Sequence, residues 1–409
     1  MSFYNFGCRA FQQTARLGQN LWPWKEPRVL RGPGCADELP ALVKSLGLRR
    51  VLLVTDPGLM KLGLPLPLIQ GLEKAGLFCA VYDKTVANPT TDSIEEARGV
   101  YIEGKCDCVV AFGGGSPMDC AKMVCFLAAY PRETAARVKG VQPVRLRGVP
   151  PLFAVPTTAG TGSETTLAVV VSDPGTHKKY TVISPLLRPQ YAVLDPRLTL
   201  GLPPRITAHT GMDALTHAAE AYVSLSRTKE TDARATEAVR LIFANLETAY
   251  ADGSNMDARD AMLYASYCAG VAFTKAYVGY AHGIAHALGG MYDIPHGLAC
   301  AVALPHVLEA YGPCVHARLA RLYDAAGLPG SGQSDAEKAA ALLTAIRALN
   351  RRMNIPAGFD CIREEDVPEI AARCLKEGNP LYPVPRIWRQ EECEGVVRGM
   401  ASVKEEVKV

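Results

Sequence analysis

The chain has 409 residues, 48% hydrophobic and 21% charged, a composition that indicates a soluble globular protein with room for two domains. Its net charge of +3 comes from interspersed acids and bases, so no basic surface for a nucleic acid is evident. No apolar run approaches the ~20 residues that span a bilayer, and the start lacks the features of a secretory signal. We therefore expect a cytoplasmic protein without a nucleic-acid or membrane partner.

Thirteen cysteines are spread over the chain without a CxxC pair and without the spacing of a structural zinc site. Their odd number argues against a disulfide scaffold. We expect reduced thiols, as in other cytoplasmic proteins.

In the first half of the chain, short β-rich runs alternate with amphipathic segments. These runs are RRVLLVTD (49–56), LFCAVYD (77–83), CDCVVAFGGG (106–115) and PLFAVPTT (151–158). Such alternation predicts a parallel sheet with helices on both faces. Two further runs flank the turn PGTHK and are predicted to form a hairpin attached to that sheet, over 167–173 and 179–184.

After Pro203 and Pro204 the sequence becomes rich in Ala, Leu and Glu, and β-rich runs are scarce. We predict an α/β N-terminal domain over 1–204 and an all-helical C-terminal domain over 205–409. The cleft between two such domains is the default ligand site.

A run of glycines follows the third predicted strand, in CVVAFGGGSPMDCAK. Pro117 suits a first helical turn, and glycines let the backbone approach an anion that the free N–H groups of a helix start can bind. The pattern GxGxxG is absent here, and GTGSET (160–165) only resembles it. The segment Gly113–Ser116 is therefore either a phosphate loop or simply a tight strand-to-helix turn.

Two segments of the second half concentrate groups that bind metals. Asp213 and His217 are four residues apart and so share one helix face. His282 and His286 repeat this spacing on another predicted helix, and His296 follows in a turn. A single histidine of this kind is ordinarily a hydrogen-bonded core residue. Five such groups together predict a divalent metal site, with nitrogen-rich ligation suited to Fe(II) or Zn(II).

Four motifs, in this order, resemble the iron-containing (group III) alcohol dehydrogenase family: GGGSPMDCAK, PTTAGTGSE, GMDALTHAAEAY and HGIAHALGGMYDIPHG. The similarity extends over nearly the whole chain, from RVLRGPG to GNPLYPVP. It implies a Rossmann-like dinucleotide-binding domain, a helical domain and a metal in the cleft. It also implies an NAD(H)-dependent enzyme that interconverts a small alcohol and its aldehyde on Fe(II), as a homodimer or higher homo-oligomer.

Carried over by position, the resemblance implies roles for individual residues. The metal ligands would be Asp213, His217, His282 and His296. His286 would lie close to the metal and nicotinamide and relay a proton, or else support the metal helix. Cofactor contacts would come from Asn88, Gly113, Gly114, Gly115, Ser116, Asp119, Thr157, Thr161, Lys179 and Leu194.

The chain departs from the family pattern before the metal helix, where it reads TKAYVGYAH. Lys275 replaces a usual asparagine, and Tyr277 and Tyr280 replace smaller or aliphatic residues. Together with Phe273, the two tyrosines are expected to line the substrate pocket. The first 26 residues also exceed the usual lead-in; they are expected to pack at a subunit interface or, alternatively, to target the protein to a protein-shelled compartment.

Asp56 ends the strand RRVLLVTD, where a dinucleotide fold places a residue beside the adenosine ribose. A carboxylate there accepts hydrogen bonds from the ribose 2′-OH and repels a 2′-phosphate, so we expect NAD(H) in preference to NADP(H). The alternative role of Asp56 is to cap the helix that PGLM begins.

Three other functions are alternatives. A dehydroquinate synthase-like lyase shares the architecture but needs a basic cluster for its phosphorylated substrate, and a glutamate in place of Asp213. A glycerol dehydrogenase-like enzyme uses three protein ligands, whereas His217 supplies a fourth. The third alternative is a non-catalytic sensor that binds NAD or a metal.

Overall fold

The structure, a computed structural model, describes residues 3–21, 25–142, 148–175, 178–330 and 333–401. The strands in these ranges are β1 (Arg28–Arg31), β2 (Arg50–Val54), β3 (Phe78–Tyr82), β4 (Cys108–Gly113), β5 (Gly140–Val141), β6 (Leu152–Pro156), β7 (Ala168–Asp173), β8 (Lys178–Ile183) and β9 (Tyr191–Leu194). The α-helices are α1 (Phe3–Leu21), α2 (Leu39–Ser45), α3 (Pro57–Lys61), α4 (Leu66–Lys74), α5 (Thr91–Glu103), α6 (Gly115–Ala129), α7 (Pro204–Val223), α8 (Lys229–Ala251), α9 (Met256–Ala276), α10 (Tyr280–Tyr292), α11 (His296–Tyr311), α12 (His316–Ala325), α13 (Asp335–Arg352), α14 (Val367–Gly378) and α15 (Gln390–Met400).

The chain divides into two compact units. One comprises Trp22–Gly201, and the other combines Met1–Leu21 with Leu202–Val409. The break near Gly201 is close to the expected boundary after Pro204. The first 21 residues, however, belong to the helical unit and not to the α/β domain that was predicted over 1–204.

Hydrogen bonds of helix α1 account for this difference. Arg9 donates to the carbonyl oxygens of Val384 at 2.8 Å and Pro385 at 3.0 Å, and Gln12 Nε2 donates to that of Tyr382 at 2.8 Å. These contacts join residues more than 360 positions apart. Contacts over such a separation have no local signature in the sequence. The prediction therefore placed α1 in the α/β domain that follows it in the chain.

The predicted parallel sheet is confirmed. Among the described residues it has six strands, all parallel, in the order β1-β9-β6-β4-β2-β3. The four predicted strands are β2, β3, β4 and β6, while β1 and β9, of four residues each, were not predicted.

Both faces of the sheet are covered by helices, because successive side chains of β2 enter two different hydrophobic cores. Leu52 and Val54 join the core that includes α5 and α6. Val51 and Leu53 join the opposite core, with α2 and α4. A strand buried on both faces reads as a continuous apolar run, which is why the sequence identified it.

The predicted hairpin forms, but not on the main sheet. Strands β7 and β8 pair antiparallel and, with β5, make a separate three-stranded sheet within the described residues. Attachment to the parallel sheet was therefore wrong. Part of the predicted turn PGTHK, residues 176–177, lies outside the described residues.

In the helical unit, α7 packs against α8, α9 and α11, and α10 packs against α11 and α14. Pro204 opens α7 at a position where its missing N–H is not needed. Gly279 precedes α10, and Pro295 precedes α11. These starts fix where the polar residues of α10 and α11 meet α7.

One helical stretch, His296–Ala325, is long and apolar enough to cross a membrane by length and composition. This differs from the expectation that no apolar run is long enough to span a bilayer. Of its most apolar window, 61% is buried inside the protein, as in a core helix. The thirteen cysteines all lie in described residues, and each is a free thiol.

Candidate functional site

Helix α7 places three polar side chains on one buried face. Asp213, His217 and Glu220 are separated by four and three residues, so they follow one another along the same side of the helix. All three are buried, and Asp213 is only 3% exposed. A buried carboxylate is costly unless it is paired, so this face requires polar neighbours.

Helices α10 and α11 supply these neighbours. His282 lies in the first turn of α10, and His296 is the first residue of α11, where the sequence had placed it in a turn. Asp213 Oδ1 is 3.7 Å from His282 Nε2 and 3.4 Å from His296 Nε2. The fold therefore brings three of the expected metal-binding groups together.

A cysteine that the sequence analysis overlooked joins this cluster. Cys300 lies one turn after His296 on α11, and its Sγ is 3.6 Å from His296 Nε2. One donor atom from each of Asp213, His282, His296 and Cys300 lies within 4.8 Å of the others. The spacing of four between His296 and Cys300 was the signal that could have revealed it.

The donor cluster, defined as these four residues, fits a divalent metal ion. Asp213 Oδ1 and His282 Nε2 are buried and have no hydrogen-bond partner among the described residues. Leaving such atoms unpaired costs about 1–3 kcal/mol each. Carboxylate oxygen, imidazole nitrogen and thiolate sulfur are the donors that first-row divalent metals accept.

His217 lies beside the donor cluster but is not part of it. Its ring stacks on Phe273 with 4.1 Å between centroids, and its centroid is 4.4 Å from that of His282. The expected fourth ligand, His217, thus lies next to the other three, but its nitrogen atoms are not among the donor atoms that lie within 4.8 Å of one another.

The charges of the donor cluster are strongly coupled. Burial alone would raise the pKa of Asp213, but His217 and His296 hold it well below its usual range. Burial alone would lower the pKa of His296, but the neighbouring Cys300 and Asp213 raise it to about 10. A metal ion must displace these protons to bind, so its uptake should weaken in acid.

Glu220 holds His282 in place and was also overlooked in the sequence. Its Oε2 is 2.6 Å from His282 Nδ1 and accepts from the N–H of Gly279 at 2.7 Å. Its Oε1 accepts from the N–H of Ala281 at 2.7 Å. When Nδ1 carries the proton and shares it with Glu220, Nε2 keeps a free electron pair and faces Asp213. Carboxylates orient metal-binding histidines in proteins in this way.

His286 lies at the edge of the donor cluster. Its ring stacks on that of His296, with 5.1 Å between centroids and 19° between the ring planes. Nδ1 is 2.6 Å from Glu377 Oε1, which also accepts from Tyr382 Oη at 2.5 Å. The His286 side chain is 42% exposed, so this pair connects the donor cluster with solvent.

The three residues expected to line a substrate pocket separate into two groups. Phe273 lies against His217, and Tyr277 follows α9 in a backbone region that residues other than glycine rarely adopt (φ 63°, ψ 174°). Tyr280 is wholly buried: its ring packs on Trp388, and its hydroxyl donates to Asn379 at 2.9 Å. Both its ring and its hydroxyl make contacts inside the helical unit. The expectation that Tyr280 lines the substrate pocket was therefore wrong.

In the α/β unit, the glycine run forms the turn between β4 and α6. Strand order reverses between β2 and β4, because the chain proceeds from β2 to β3 on one side and from β4 to β6 on the other. Open parallel sheets bind their ligands at the carboxyl ends of strands at such a reversal. The predicted phosphate loop therefore lies at the position where a dinucleotide is expected.

The backbone of this turn requires glycine at its first position. Gly113 has a φ of 149°, and an added Cβ would lie 2.6 Å from Pro117 Cγ. Thr157 N–H donates to Gly113 O at 3.2 Å, and Asn88 N–H donates to Ser116 Oγ at 3.2 Å. None of the described side chains caps α6, so the N–H groups of its first turn are available to an anion.

Four other residues were expected to contact the cofactor: Asp56, Thr161, Lys179 and Leu194. Asp56 Oδ1 accepts from Leu59 N–H at 3.0 Å, so Asp56 caps α3. Thr161 lies against Gly115, and Lys179 is exposed on β8. The Leu194 side chain is fully buried at the end of β9, which leaves it no surface for a cofactor.

Asp119 is committed to contacts inside its own unit. It accepts from Ser163 Oγ at 3.1 Å and from Val170 N–H at 2.9 Å, which ties α6 to the GTGS turn and to β7. Burial raises its pKa. Asp119 therefore anchors α6, the helix that follows the glycine run.

The sheet topology, the glycine turn and the buried donor cluster indicate the class first: a two-unit enzyme with one unit suited to a nucleotide and the other suited to a metal ion. The two halves match two family models. "Iron-containing alcohol dehydrogenase" matches residues 26–196, and "Fe-containing alcohol dehydrogenase family, C-terminal" matches residues 207–399. The chain belongs to the iron-containing alcohol dehydrogenase family, as its motifs predicted.

Individual relatives agree with this assignment. The chain is 38% identical to 1,3-propanediol dehydrogenase of Klebsiella pneumoniae over 371 residues, which is 90% of this chain and 95% of that one. A crystal structure of 1,3-propanediol oxidoreductase superposes with a TM-score of 0.88 and 37% identity, covering 92% and 99% of the two chains.

Another solved relative contains a nucleotide. The structure of sulfoacetaldehyde reductase from Bifidobacterium kashiwanohense in complex with NAD⁺ has a TM-score of 0.83 and 29% identity, covering 93% and 99% of the chains. These similarities favour an alcohol dehydrogenase over the dehydroquinate synthase-like and glycerol dehydrogenase-like alternatives.

Proposed function

We propose that this enzyme is a metal-dependent, NAD(H)-linked alcohol dehydrogenase and aldehyde reductase that acts on a small primary alcohol or its aldehyde. The observation that supports this most directly is the donor cluster. Asp213 Oδ1 and His282 Nε2, which have no hydrogen-bond partner among the described residues, lie within 4.8 Å of two further donors.

Asp213, His282 and His296 would hold the metal ion, with His217 as the further ligand that the family motifs imply. Fe(II) is the proposed ion, because the matching family models are those of iron-containing enzymes, and Zn(II) is the alternative. Glu220 would orient His282 toward the ion.

When bound, the metal makes an alcohol oxygen more acidic and NAD⁺ accepts the hydride. The protein must then remove the proton that the alcohol releases. His286 is suited to this task, because its ring contacts His296 and its Nδ1 contacts the carboxylate of Glu377. In aldehyde reduction the same residue would return the proton.

For the cofactor, Gly113, Gly114, Gly115 and Ser116 would bind the pyrophosphate at the start of α6. Asp56 would face the adenosine ribose from the end of β2, on the other side of the strand reversal, and so favour NAD(H) over NADP(H). Its Oδ1 caps α3, which leaves Oδ2 for the ribose. Asn88, Thr157, Thr161 and Lys179 are proposed as further contacts, with Asp119 as their support. A relative solved with NAD⁺ is consistent with this choice.

A homodimer or higher homo-oligomer in the cytoplasm is proposed as the working form. Helix α1 supports the oligomer, because Phe3, Tyr4, Phe6 and Phe11 are exposed along it. Several large apolar side chains on one exposed helix are typical of an interaction surface.

The test is NADH absorbance with a panel of small alcohols and aldehydes, after anaerobic loading with Fe(II). We expect His282→Ala to abolish turnover and to lower bound metal. His306→Ala is the matched control, since His306 lies on α11 outside the donor cluster, and it should retain both. Full metal content and full turnover in His282→Ala would contradict the proposal.

A further inference from the structure

We propose that Cys300 is a thiolate ligand of the metal ion, an inference that rests on the proposed function and assigns the site a sulfur donor. Cys300 is fully buried on α11, and its sulfur belongs to the same group of donor atoms as Asp213, His282 and His296. Nothing in the family motifs quoted above requires a cysteine here.

Two donor–donor distances match those between ligands of one ion, and a third, from Asp213 Oδ1 to His282 Nε2, is slightly longer at 3.7 Å. A sulfur at about 2.3 Å and an imidazole nitrogen at about 2.0–2.1 Å from the same ion, at the tetrahedral angle, are about 3.6 Å apart. Cys300 Sγ and His296 Nε2 are 3.6 Å apart. A carboxylate oxygen and an imidazole nitrogen should be about 3.4 Å apart by the same construction. Asp213 Oδ1 and His296 Nε2 are 3.4 Å apart.

Buried cysteines usually serve only as small apolar side chains. A second observation distinguishes Cys300 from these. Asp213 and His282, at 3% and 2% exposure, each direct an atom without a hydrogen-bond partner among the described residues into the space that Cys300 also borders. Both atoms call for a cation in this space, and the Cys300 sulfur lies within reach of the same cation.

Coordination changes the chemistry of the site. On binding, the thiol transfers its proton to the buffer, and the sulfur–metal bond forms from the thiolate electron pair. A thiolate is a softer donor than carboxylate or imidazole and suits zinc well. The donor cluster should therefore retain Zn(II) more strongly than the same cluster with an oxygen donor at this position.

The test replaces the native ion with Co(II) in the full-length enzyme. Bound Co(II) shows ligand-field bands in visible light, and a thiolate ligand adds a charge-transfer band in the near ultraviolet. We expect both in the unmodified protein. Cys300→Ser should lose the charge-transfer band while retaining the ligand-field bands, because Asp213, His282 and His296 remain.

Cys268→Ser is the matched control, since Cys268 is a buried cysteine of α9 outside the donor cluster. It should keep both sets of bands. Zinc affinity, measured by competition with a chelator, should fall at least about tenfold in Cys300→Ser, because even residues that only support a ligand cost about 10–100-fold. Cys268→Ser should leave it unchanged.

The possible results separate the two proposals. Ligand-field bands without a charge-transfer band in the unmodified protein would overturn sulfur ligation and leave the metal site intact. A charge-transfer band that survives in Cys300→Ser would assign the sulfur to another cysteine and also overturn the inference. Absence of any Co(II) bands would overturn the metal centre itself, and with it the proposed function.

Discussion

The substitution Glu220→Gln tests how His282, a proposed metal ligand, is positioned. Glu220 is 3% exposed, and its two oxygens face only donors: His282 Nδ1 at 2.6 Å and the N–H groups of Gly279 and Ala281 at 2.7 Å. Glutamine has almost the same shape but must turn its NH₂ group toward at least one of these donors. The exchange therefore removes a charge-assisted hydrogen bond and creates a donor–donor contact.

The expected size follows from these contacts. Losing a hydrogen bond to a charged group costs about 1.5–3 kcal/mol in the free energy of unfolding. With its orienting partner weakened, His282 should bind metal about 10–100-fold less tightly. Metal affinity is measured by chelator competition, and stability by urea unfolding of the metal-free protein.

Glu377→Gln is a closely matched control. Glu377 also contacts Nδ1 of a histidine on α10 at 2.6 Å, but this residue, His286, is not in the donor cluster. Its substitution should leave metal affinity within about threefold, well below the loss expected for a ligand-orienting partner. If Glu220→Gln bound metal as tightly as the unmodified protein, or if both variants lost affinity equally, the orienting role of Glu220 would be refuted.

Three further predictions concern the cofactor, the proton route and the pH dependence of stability. Asp56→Gly should improve use of NADP(H) by roughly 1–3 kcal/mol in kcat/KM, with only a few tenths lost from the α3 cap; equal kcat/KM for both cofactors in the unmodified enzyme would refute the ribose role. His286→Ala should keep its metal, lose much of kcat near neutral pH and regain part of it in alkali; loss of metal would show that His286 supports the site instead. Burial raises the pKa of Glu164 from 4.5 to about 7, so the free energy of unfolding should fall by up to about 3 kcal/mol as pH rises through this range. Urea unfolding of Glu164→Gln should lack that fall, and an unchanged pH dependence would refute the buried-acid explanation.

The sequence predicted the longer strands of the parallel sheet, which have five or six residues each. β2, β3, β4 and β6 are apolar runs with clear ends, and they were found. β1 and β9 were missed because each has only four residues. Their pairing, which aligns Arg28 with Tyr191, joins distant parts of the chain and has no local signature.

The candidate site was likewise predicted only where the sequence carries a local signal. Asp213, His282 and His296 were found from helical spacing and family motifs, and the fold brings them together. Glu220 and Cys300 also lie at helical spacing from predicted ligands, yet spacing alone does not show whether a neighbouring helix faces them. Tyr280 shows the opposite error, because proximity in sequence to the metal helix did not reveal that its ring packs on Trp388.

The central claim is that turnover depends on a metal ion held by the donor cluster. Its most direct test is a titration of metal-free protein with Fe(II) under anaerobic conditions, recording bound metal and alcohol-dependent NADH formation on the same samples. We predict that activity rises in proportion to bound metal and stops rising at a single equivalent per chain. Full activity in protein that elemental analysis shows to be free of metal would contradict the claim.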